Sequence, residues 1–311
     1  MESLEAEDKC KKYFLESSLV KCETVNDNNV LKVHKTYHVD KNIKHEFLIV
    51  CVHGCGSSAM SWASTSMFLS KFALVAAIDL RCHGNSFKTM KDSMYITVDV
   101  LVRDLRTTID QLLQELVAVG RKPALLLLGH SIGAALCIRV SEYYDNLLSL
   151  IIIDYSEVSI SRDNYSTAIR VVEKIPHEFQ TIEDAISWSV ETSYVSSLDS
   201  ARISIPSQLT YKNDMYVWKC HPKNTTKHWR GWVSGTDEIF LNLKTMKVLI
   251  MRESLSTLLL SAHMQGNFQL KVIHGTTHSI HEDEPLKIAE IVENVINRHI
   301  STQKILAKIT I

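Results

Sequence analysis

A serine stands between two glycines in the sequence GHSIG, at positions 129–133. An apolar run at 124–128 precedes it and an alanine-rich segment follows it. This order predicts a strand, a sharp turn and a helix, with the serine at the turn. Such a turn strains the backbone, so the residues two before and two after the serine must be very small. Gly129 and Gly133 meet that requirement, and Ser131 is therefore a candidate nucleophile.

A serine hydroxyl becomes a nucleophile only when a base removes its proton and an acid orients that base. Where a serine occupies this kind of turn, the base is a histidine after the last strand. His274, His278 and His281 all follow the strand-like run 269–273, and we predict His278, which has small neighbours, as the base. The three histidines would also suit a metal, but no HExxH motif or cysteine pair accompanies them. We therefore expect neither a metal nor an organic cofactor.

Two positions could supply the acid that orients the histidine. Asp154 directly follows the apolar run 150–153, and Glu253 follows the later run 248–251. The carboxyl ends of strands in an open α/β sheet face the crevice in which ligands bind. We predict Asp154 as the acid and keep Glu253 as the alternative. A purely structural interpretation makes Asp154 the cap of the next helix.

A carbonyl group that is attacked by serine develops negative charge, which backbone N–H groups can stabilise. The sequence HGCGSS at 53–58 follows an apolar strand and has the form of the HGGG motif that supplies such donors. We predict the N–H groups of Gly54, Cys55 and Ile132 as the oxyanion hole. Cys55 is also a rival nucleophile, but no strand-turn-helix motif surrounds it. In a further loop, we expect Asp79 and Arg81 to brace the neighbouring loops.

Continuous apolar runs predict strands that are buried on both faces. They occur at 47–52, 74–78, 125–128, 150–153, 248–251 and 269–273, and an alternating run at 31–39 predicts an edge strand. Helical patterns lie between them, at 60–71, 98–119, 134–144 and 286–299. The alternation predicts a doubly wound α/β core, and the serine turn makes it an α/β-hydrolase fold, with a mostly parallel sheet flanked by helices. We assign the core to 29–154 and 243–311, after an N-terminal extension at 1–28.

The alternation stops between positions 155 and 242, where four of the five tryptophans lie. Helical patterns at 166–174, 181–191 and 227–231 predict a helical cap or lid inserted over the active site. Such insertions commonly determine which substrate is accepted. We predict Trp188, Trp229 and Trp232 as substrate-binding residues. The alternative is an extra helical layer that only fills space.

Composition narrows the classes of partner. The chain has 311 residues and a formal net charge of −1, so no overall positive field favours nucleic acid. No stretch approaches the length of a membrane span, and the first residues lack the apolar region of a secretory signal. Seven scattered cysteines without CxxC spacing indicate reduced thiols. We expect a cytoplasmic or nuclear protein that binds neither nucleic acid nor membranes.

The chain resembles the protein phosphatase methylesterase family from about position 13 to 299. Cys55 and Ala134 stand where that family commonly has glycine, and the acidic cap insert of some members is missing. The matching stretches are HGCG at 53–56, AMSW at 59–62, DLRCHG at 79–84, GHSIG at 129–133, ID at 153–154, AISWSV at 185–190, ARIS at 201–204, WRGWVSG at 229–235, MQGNFQ at 264–269 and HSIHED at 278–283.

The resemblance implies a serine esterase that acts on the catalytic subunit of protein phosphatase 2A. Its substrate would be the methyl ester on the carboxyl group of the C-terminal leucine of that subunit. Position by position, the resemblance implies Ser131 as nucleophile, Asp154 as acid and His278 as base. Two rival hypotheses remain: a general small-molecule carboxylesterase, and a phosphatase-binding protein whose catalysis is impaired at Cys55.

Overall fold

The structure is a computed structural model that describes residues 16–24, 27–36, 46–86, 96–160, 162–253 and 256–309. Its strands fall into a large sheet and a small one. The strands are β1 (Glu16–Thr24), β2 (Asp27–Thr36), β3 (Phe47–Val52), β4 (Leu74–Ile78), β5 (Ala124–His130), β6 (Leu147–Ile153), β7 (Glu178–Phe179), β8 (Leu209–Lys212), β9 (Met215–Trp218), β10 (Met246–Met251) and β11 (Gln269–Val272).

The helices lie between these strands and after the last of them. They are α1 (Ala63–Leu69), α2 (Val98–Ala118), α3 (Ile132–Ser141), α4 (Arg162–Glu173), α5 (Ile182–Glu191), α6 (Leu198–Gln208), α7 (Thr226–Val233), α8 (Thr236–Asn242), α9 (Thr257–Met264), α10 (Ile280–Asp283) and α11 (Pro285–Ile309). None of the described helices combines the length and the apolar character that crossing a bilayer requires.

The large sheet has the strand order β1-β2-β4-β3-β5-β6-β10-β11. All neighbours from β4 to β11 in that order are parallel, whereas β2 pairs antiparallel with both β4 and β1. The loops that follow β3, β5, β6, β10 and β11 therefore meet along one edge. This is the predicted α/β-hydrolase architecture.

The continuous apolar runs form these strands because the sheet is covered on both faces. Every residue of β3 and β4 is buried. Leu48 and Val50 of β3 face a cluster that includes α2, α3 and the segment between β6 and β10. Ile49 and Cys51 face the other cluster, which includes α1 and α11. Residues of opposite parity thus pack against different helical layers.

The first strands differ from the sequence prediction. β1 pairs with β2 along its whole length and is the outermost strand, although 1–28 is predicted as an extension. The reason is that β1 has the sequence ESSLVKCET, in which polar residues interrupt the apolar signal. The predicted strand 31–39 corresponds to β2, and its last three positions, 37–39, lie outside the described residues.

The segment between β6 and β10 contains helices α4 to α8 and the small sheet, whose strand order is β7-β9-β8. The three helices predicted there correspond to α4, α5 and α7. The prediction of a purely helical insertion omits the small sheet, since its strands have only two to four residues. This segment, 154–245, is called the inserted segment below.

Candidate active site

The turn at Ser131 has the strained geometry that the GHSIG sequence predicts. Ser131 has φ 53° and ψ −122°, directly after β5 and before α3. A side-chain carbon on Gly129 would lie 2.5 Å from the Cα of Ala134, and one on Gly133 would lie 2.3 Å from the carbonyl oxygen of Val52. Both positions therefore exclude any residue larger than glycine. The same contacts hold the turn against the end of β3.

Asp154 and His278 are joined at the neighbouring end of the sheet. The His278 Nδ1–H donates to Asp154 Oδ2 over 2.7 Å. Asp154 follows β6 with φ 44°, and its N–H donates to the carbonyl of Ile250 at 2.7 Å, so the sheet ladder fixes this strained residue. With Nδ1 bound to the carboxylate, the His278 Nε2 is left available for a hydroxyl.

The carboxyl group of Asp154 is largely buried, while the side chain of His278 is 51% exposed. Burial raises the pKa of Asp154, but the hydrogen bond from His278 and the charges of His278 and Arg252 outweigh burial and hold that pKa below its usual value. The Arg252 Nε–H also donates to Asp154 Oδ2, at 3.0 Å. Asp154 is therefore an ionised acceptor shared between a histidine and an arginine.

The other candidates for the acid and the base make different contacts from Asp154 and His278. The side chain of Glu253 is 73% exposed and contacts Arg252 at 3.6 Å. His281 is 1% exposed, and its ring centroid lies 4.3 Å from that of Trp62. His274 lies exposed in the loop after β11. Only one of the three histidines thus has a described hydrogen bond to a carboxylate.

His130 is a residue of the site that the sequence reasoning missed. Its Nε2–H donates to the backbone carbonyl of His278 at 2.8 Å, and its ring centroid lies 4.6 Å from that of His278. His130 is the chain neighbour of Ser131, so it joins the serine turn to the histidine loop. Its position directly before Ser131 in GHSIG is the sequence signal that could have identified it.

Among the described contacts, the Ser131 hydroxyl has no hydrogen bond to His278. In hydrolases without substrate, the distance between the catalytic hydroxyl and its base is often long.

The loop after β3 lies directly against the serine turn. A side-chain carbon on Gly54 would lie 3.2 Å from the Cβ of Ser131 and 2.8 Å from His130 Nδ1. Within the described part of the chain, the N–H groups of Cys55 and Ile132 have no hydrogen-bond acceptor. Ile132 is the first residue of α3, where the helix dipole also favours negative charge. These donors suit an oxyanion.

The loop 79–84 braces the loop after β3, as predicted. Asp79 accepts from the N–H of Ala59 at 2.7 Å. The Leu80 N–H donates to His53 Nε2 at 3.0 Å, and His53 Nδ1–H in turn donates to the Gly54 carbonyl at 2.7 Å. The Arg81 guanidinium is bound by the carboxylate of Asp104, through contacts of 2.7 and 2.8 Å. Asp79 and His53 thus hold the loop after β3, and Arg81 ties the loop 79–84 to α2.

The three predicted substrate-binding tryptophans lie in the inserted segment, and two of them are buried. The Trp229 Nε1–H donates to Thr225 Oγ1 at 2.8 Å, and the Trp232 Nε1–H donates to the carbonyl of Ile96 at 2.7 Å. Trp188 is half-buried and packs 5.2 Å from the ring of Tyr194. Contact of these rings with a substrate stays a prediction, which the exposed part of Trp188 favours over the other two.

Comparison with known proteins identifies the family. The sequence model of the alpha/beta hydrolase family matches residues 49–291, which include all three residues of the Ser131, Asp154 and His278 arrangement. The chain belongs to the alpha/beta hydrolase family. The strained serine turn and the parallel sheet described above are features of this family. The protein is therefore an enzyme of the hydrolase class.

Relatives place the chain more narrowly within the alpha/beta hydrolases. Protein phosphatase methylesterase 1 of Schizosaccharomyces pombe is 30% identical over 262 residues, covering 81% of this chain and 75% of the relative. The protein of that name from Homo sapiens is 27% identical over 313 residues, covering 85% and 79%. The chain is a member of the protein phosphatase methylesterase family and, with it, of the carboxylic ester hydrolases.

Solved structures of alpha/beta hydrolases share the fold. E-2-(acetamidomethylene)succinate hydrolase superposes with a TM-score of 0.74 at 18% identity, covering 91% of this chain and 99% of the other. The thioesterase domain from the curacin biosynthetic pathway superposes with a TM-score of 0.65 at 18% identity, covering 89% and 99%. At these identities the likeness shows the fold alone.

Proposed function

We propose that this protein is a serine carboxylesterase that removes the methyl ester from the C-terminal leucine of the protein phosphatase 2A catalytic subunit. The observation that supports it best is the 2.7 Å hydrogen bond between His278 and Asp154 at the sheet edge that also carries the strained Ser131. The names of the relatives, protein phosphatase methylesterase 1, support a methyl ester on a protein phosphatase as the substrate, and the family resemblance implies the 2A catalytic subunit.

In the proposed reaction the Ser131 hydroxyl attacks the ester carbonyl while His278 Nε2 takes the hydroxyl proton. Asp154 holds the opposite ring nitrogen and stabilises the imidazolium that forms. The N–H groups of Ile132 and of the Gly54-Cys55 turn donate hydrogen bonds to the oxyanion that forms. His278 then returns the proton to the methoxy group, and methanol leaves. An acyl-enzyme remains on the serine.

In the second half of the proposed reaction, water replaces methanol. His278 takes a proton from a water molecule, which attacks the acyl carbonyl, and the same N–H groups bind the second oxyanion. The bond to Ser131 breaks and the serine recovers its proton from His278. The product is the free carboxylate of the phosphatase tail. Every step uses groups of the chain itself together with water.

The direct test is incubation of the enzyme with carboxymethylated phosphatase 2A. We expect release of methanol and loss of one methyl group from the tail, both followed by mass spectrometry. Ser131→Ala is the matched control, since it removes only the attacking oxygen, and its turnover should fall by several orders of magnitude. A wild-type enzyme that leaves the methylated tail intact would contradict the proposal.

The two rival functions give different results in companion assays. A general esterase would hydrolyse many short acyl esters at comparable rates and would show no preference for the methylated phosphatase. An impaired phosphatase-binding protein would bind the phosphatase without turnover. A fluorophosphonate probe, which reacts with activated serines, separates the latter from both enzymes. Folded protein in which Ser131 stays unlabelled would favour the binding protein.

A further inference from the structure

The side chain of Cys55, in the loop after β3, contacts the inserted segment. Its Sγ lies 2.9 Å from Thr225 Oγ1. The same hydroxyl oxygen lies 2.8 Å from Trp229 Nε1 and 2.7 Å from the carbonyl oxygen of Pro222. Thr225 is 1% exposed, so these contacts form where water does not compete. One buried hydroxyl thus joins the loop to the inserted segment.

The direction of each hydrogen bond follows from the number of protons available. A carbonyl only accepts, so the single hydroxyl proton of Thr225 goes to Pro222. An indole N–H only donates, so Trp229 donates to Thr225 Oγ1. The remaining contact therefore requires that the Cys55 S–H donates to Thr225. Burial raises the pKa of Cys55 to about 11 and outweighs the lowering by the Thr225 and Trp229 side chains, so the proton stays on the sulfur at neutral pH.

The loop is held between this contact and the rest of the site. The Gly56 N–H donates to His83 Nε2 at 3.1 Å. Gly56 has φ +75°, and a side-chain carbon there would lie 2.5 Å from the ring of Pro222. Gly54, on the other side of Cys55, lies against the Cβ of Ser131. The backbone of Cys55 is therefore located by neighbours on both sides, and its side chain provides the link to Thr225.

We propose that Cys55 is a positioning residue, whose S–H bond to Thr225 aims its own backbone N–H at the oxyanion. Sγ and the backbone N–H share one Cα, so fixing the sulfur restricts the rotation of the adjoining peptide. Oxyanion donors act only within about 2.7–3.1 Å of the charged oxygen, and losing one donor costs about 100- to 1000-fold in kcat. The inserted segment thus helps to form the oxyanion hole. This inference rests on the proposed esterase function.

The test measures kcat and KM on a p-nitrophenyl ester of a short acid, so that it is independent of the phosphatase. Cys55→Ala and Thr225→Val each remove the bond, and we expect kcat to fall about tenfold, with KM changed less than about twofold. Cys55→Ser keeps a donor and should restore most of kcat. Thr226→Val makes the same chemical change at the next position, where the hydroxyl donates to the carbonyl of Lys223 at 3.0 Å and not to the loop after β3, and it should leave kcat unchanged.

A double-mutant cycle distinguishes positioning from general damage. If one bond is responsible, Cys55→Ala combined with Thr225→Val lowers kcat no further than either change alone. Full additivity, an unchanged kcat in Cys55→Ala, or equal losses in Cys55→Ser and Cys55→Ala would overturn the proposal. A thermal unfolding midpoint for each variant establishes that it is folded.

A second measurement needs no turnover. Valine has nearly the shape of threonine, so Thr225→Val releases the Cys55 S–H from its acceptor without opening the site. Alkylation of the released thiol by N-ethylmaleimide, followed by mass spectrometry, should become at least about fivefold faster than in Thr226→Val. An unchanged alkylation rate counts against the bond itself. Absence of both ester turnover and fluorophosphonate labelling in the wild type would instead refute the proposed function. The two failures are therefore distinguishable.

Discussion

At the scale of single residues, two members of the proposed triad have backbone angles that side-chain-bearing residues rarely adopt. Ser131 has φ 53° and Asp154 has φ 44°. Each such residue costs on the order of 1–3 kcal/mol, which the surrounding structure must offset. The Ser131 N–H donates to the carbonyl of Ile153 at 3.1 Å, and the Asp154 N–H donates to that of Ile250. Strand neighbours thus hold both strained residues.

The identity of the catalytic acid gives the first prediction. Asp154→Asn should lower kcat by about 10³- to 10⁴-fold, because an amide cannot stabilise the imidazolium and would favour the wrong tautomer. Glu253→Gln should change kcat less than twofold, since Glu253 contacts only Arg252 among the described residues. Steady-state kinetics of both variants on one ester decide the matter. The reverse ranking would make Glu253 the acid.

The buried carboxyl group of Glu282 predicts a dependence of stability on pH. Burial raises its pKa to about 8, with the nearby Asp283 adding in the same direction, whereas an unfolded glutamate has a pKa near 4.5. A group whose pKa is raised by folding contributes fully to the free energy of unfolding below pH 4.5, and this contribution is lost as the pH rises toward 8. The side chain of glutamine does not ionise, so Glu282→Gln should be more stable than the wild type at pH 8.

Chemical denaturation at several pH values tests this prediction. The free energy of unfolding of Glu282→Gln minus that of the wild type should increase from pH 4.5 to pH 8, by at most about 4 kcal/mol. Glu284→Gln is the matched control, because Glu284 lies on the surface beside Lys287 and should show a difference below about 0.5 kcal/mol throughout. A flat difference for Glu282→Gln would exclude a charged, destabilising carboxylate at this position.

At the scale of helices and strands, the predictable part of the fold is the part that is buried on both faces. β3 and β4 have the predicted limits, because continuous apolar runs of five or six residues have few alternatives in a large domain. The β8-β9 hairpin was missed although Asn213 and Asp214, at φ 52° and 61°, form the tight turn that this residue pair favours. Strands of four residues carry too little periodicity to be recognised.

The same limit applies to the candidate site. Ser131, Asp154 and His278 could be proposed from the sequence because each stands directly at the end of a strand or in the loop after one, where parallel sheets bind their ligands. Arg252 and Thr225 were not predicted, because their roles depend on contacts with Asp154 and Cys55, which lie 98 and 170 positions away in the chain. Local sequence patterns do not contain such pairings.

The packing of α3 against the end of β3 gives a prediction at this scale. Gly133→Ala would place a carbon 2.3 Å from the Val52 carbonyl oxygen and 2.5 Å from that of His53, so the helix must move. We expect a loss of roughly 2–4 kcal/mol in the free energy of unfolding and the disappearance of ester turnover. The movement would also displace the Ile132 N–H. Urea unfolding and the ester assay measure the two effects.

Gly231→Ala is the matched control for the helix. Gly231 lies within α7, and an added side-chain carbon would have no atom within 4 Å apart from its chain neighbours and the backbone of its own helix. Alanine is the better helix former, so this variant should gain about 0.5–1 kcal/mol. A Gly133→Ala protein as stable and as active as the wild type would mean that α3 does not require the close approach to β3.

At the scale of the whole molecule, the inserted segment and the sheet share one hydrophobic core. Trp218, Trp229 and Phe240 of the inserted segment belong to the same buried cluster as Leu48 and Leu127 of the sheet. Hydrogen bonds add to this packing, among them the one from Trp232 Nε1 to the Ile96 carbonyl before α2. Units that share a core are expected to unfold together.

This cooperativity can be measured because four of the five tryptophans lie in the inserted segment. In Trp62→Phe, tryptophan fluorescence reports only on that segment, while far-ultraviolet circular dichroism reports on the entire chain. We expect the two urea transitions to coincide in midpoint and slope. A fluorescence midpoint lower by more than about 0.5 M urea would indicate that the inserted segment unfolds alone. Coincident transitions would mean that Thr225 is in place whenever the sheet is folded, so that the contact to Cys55 belongs to the native state itself.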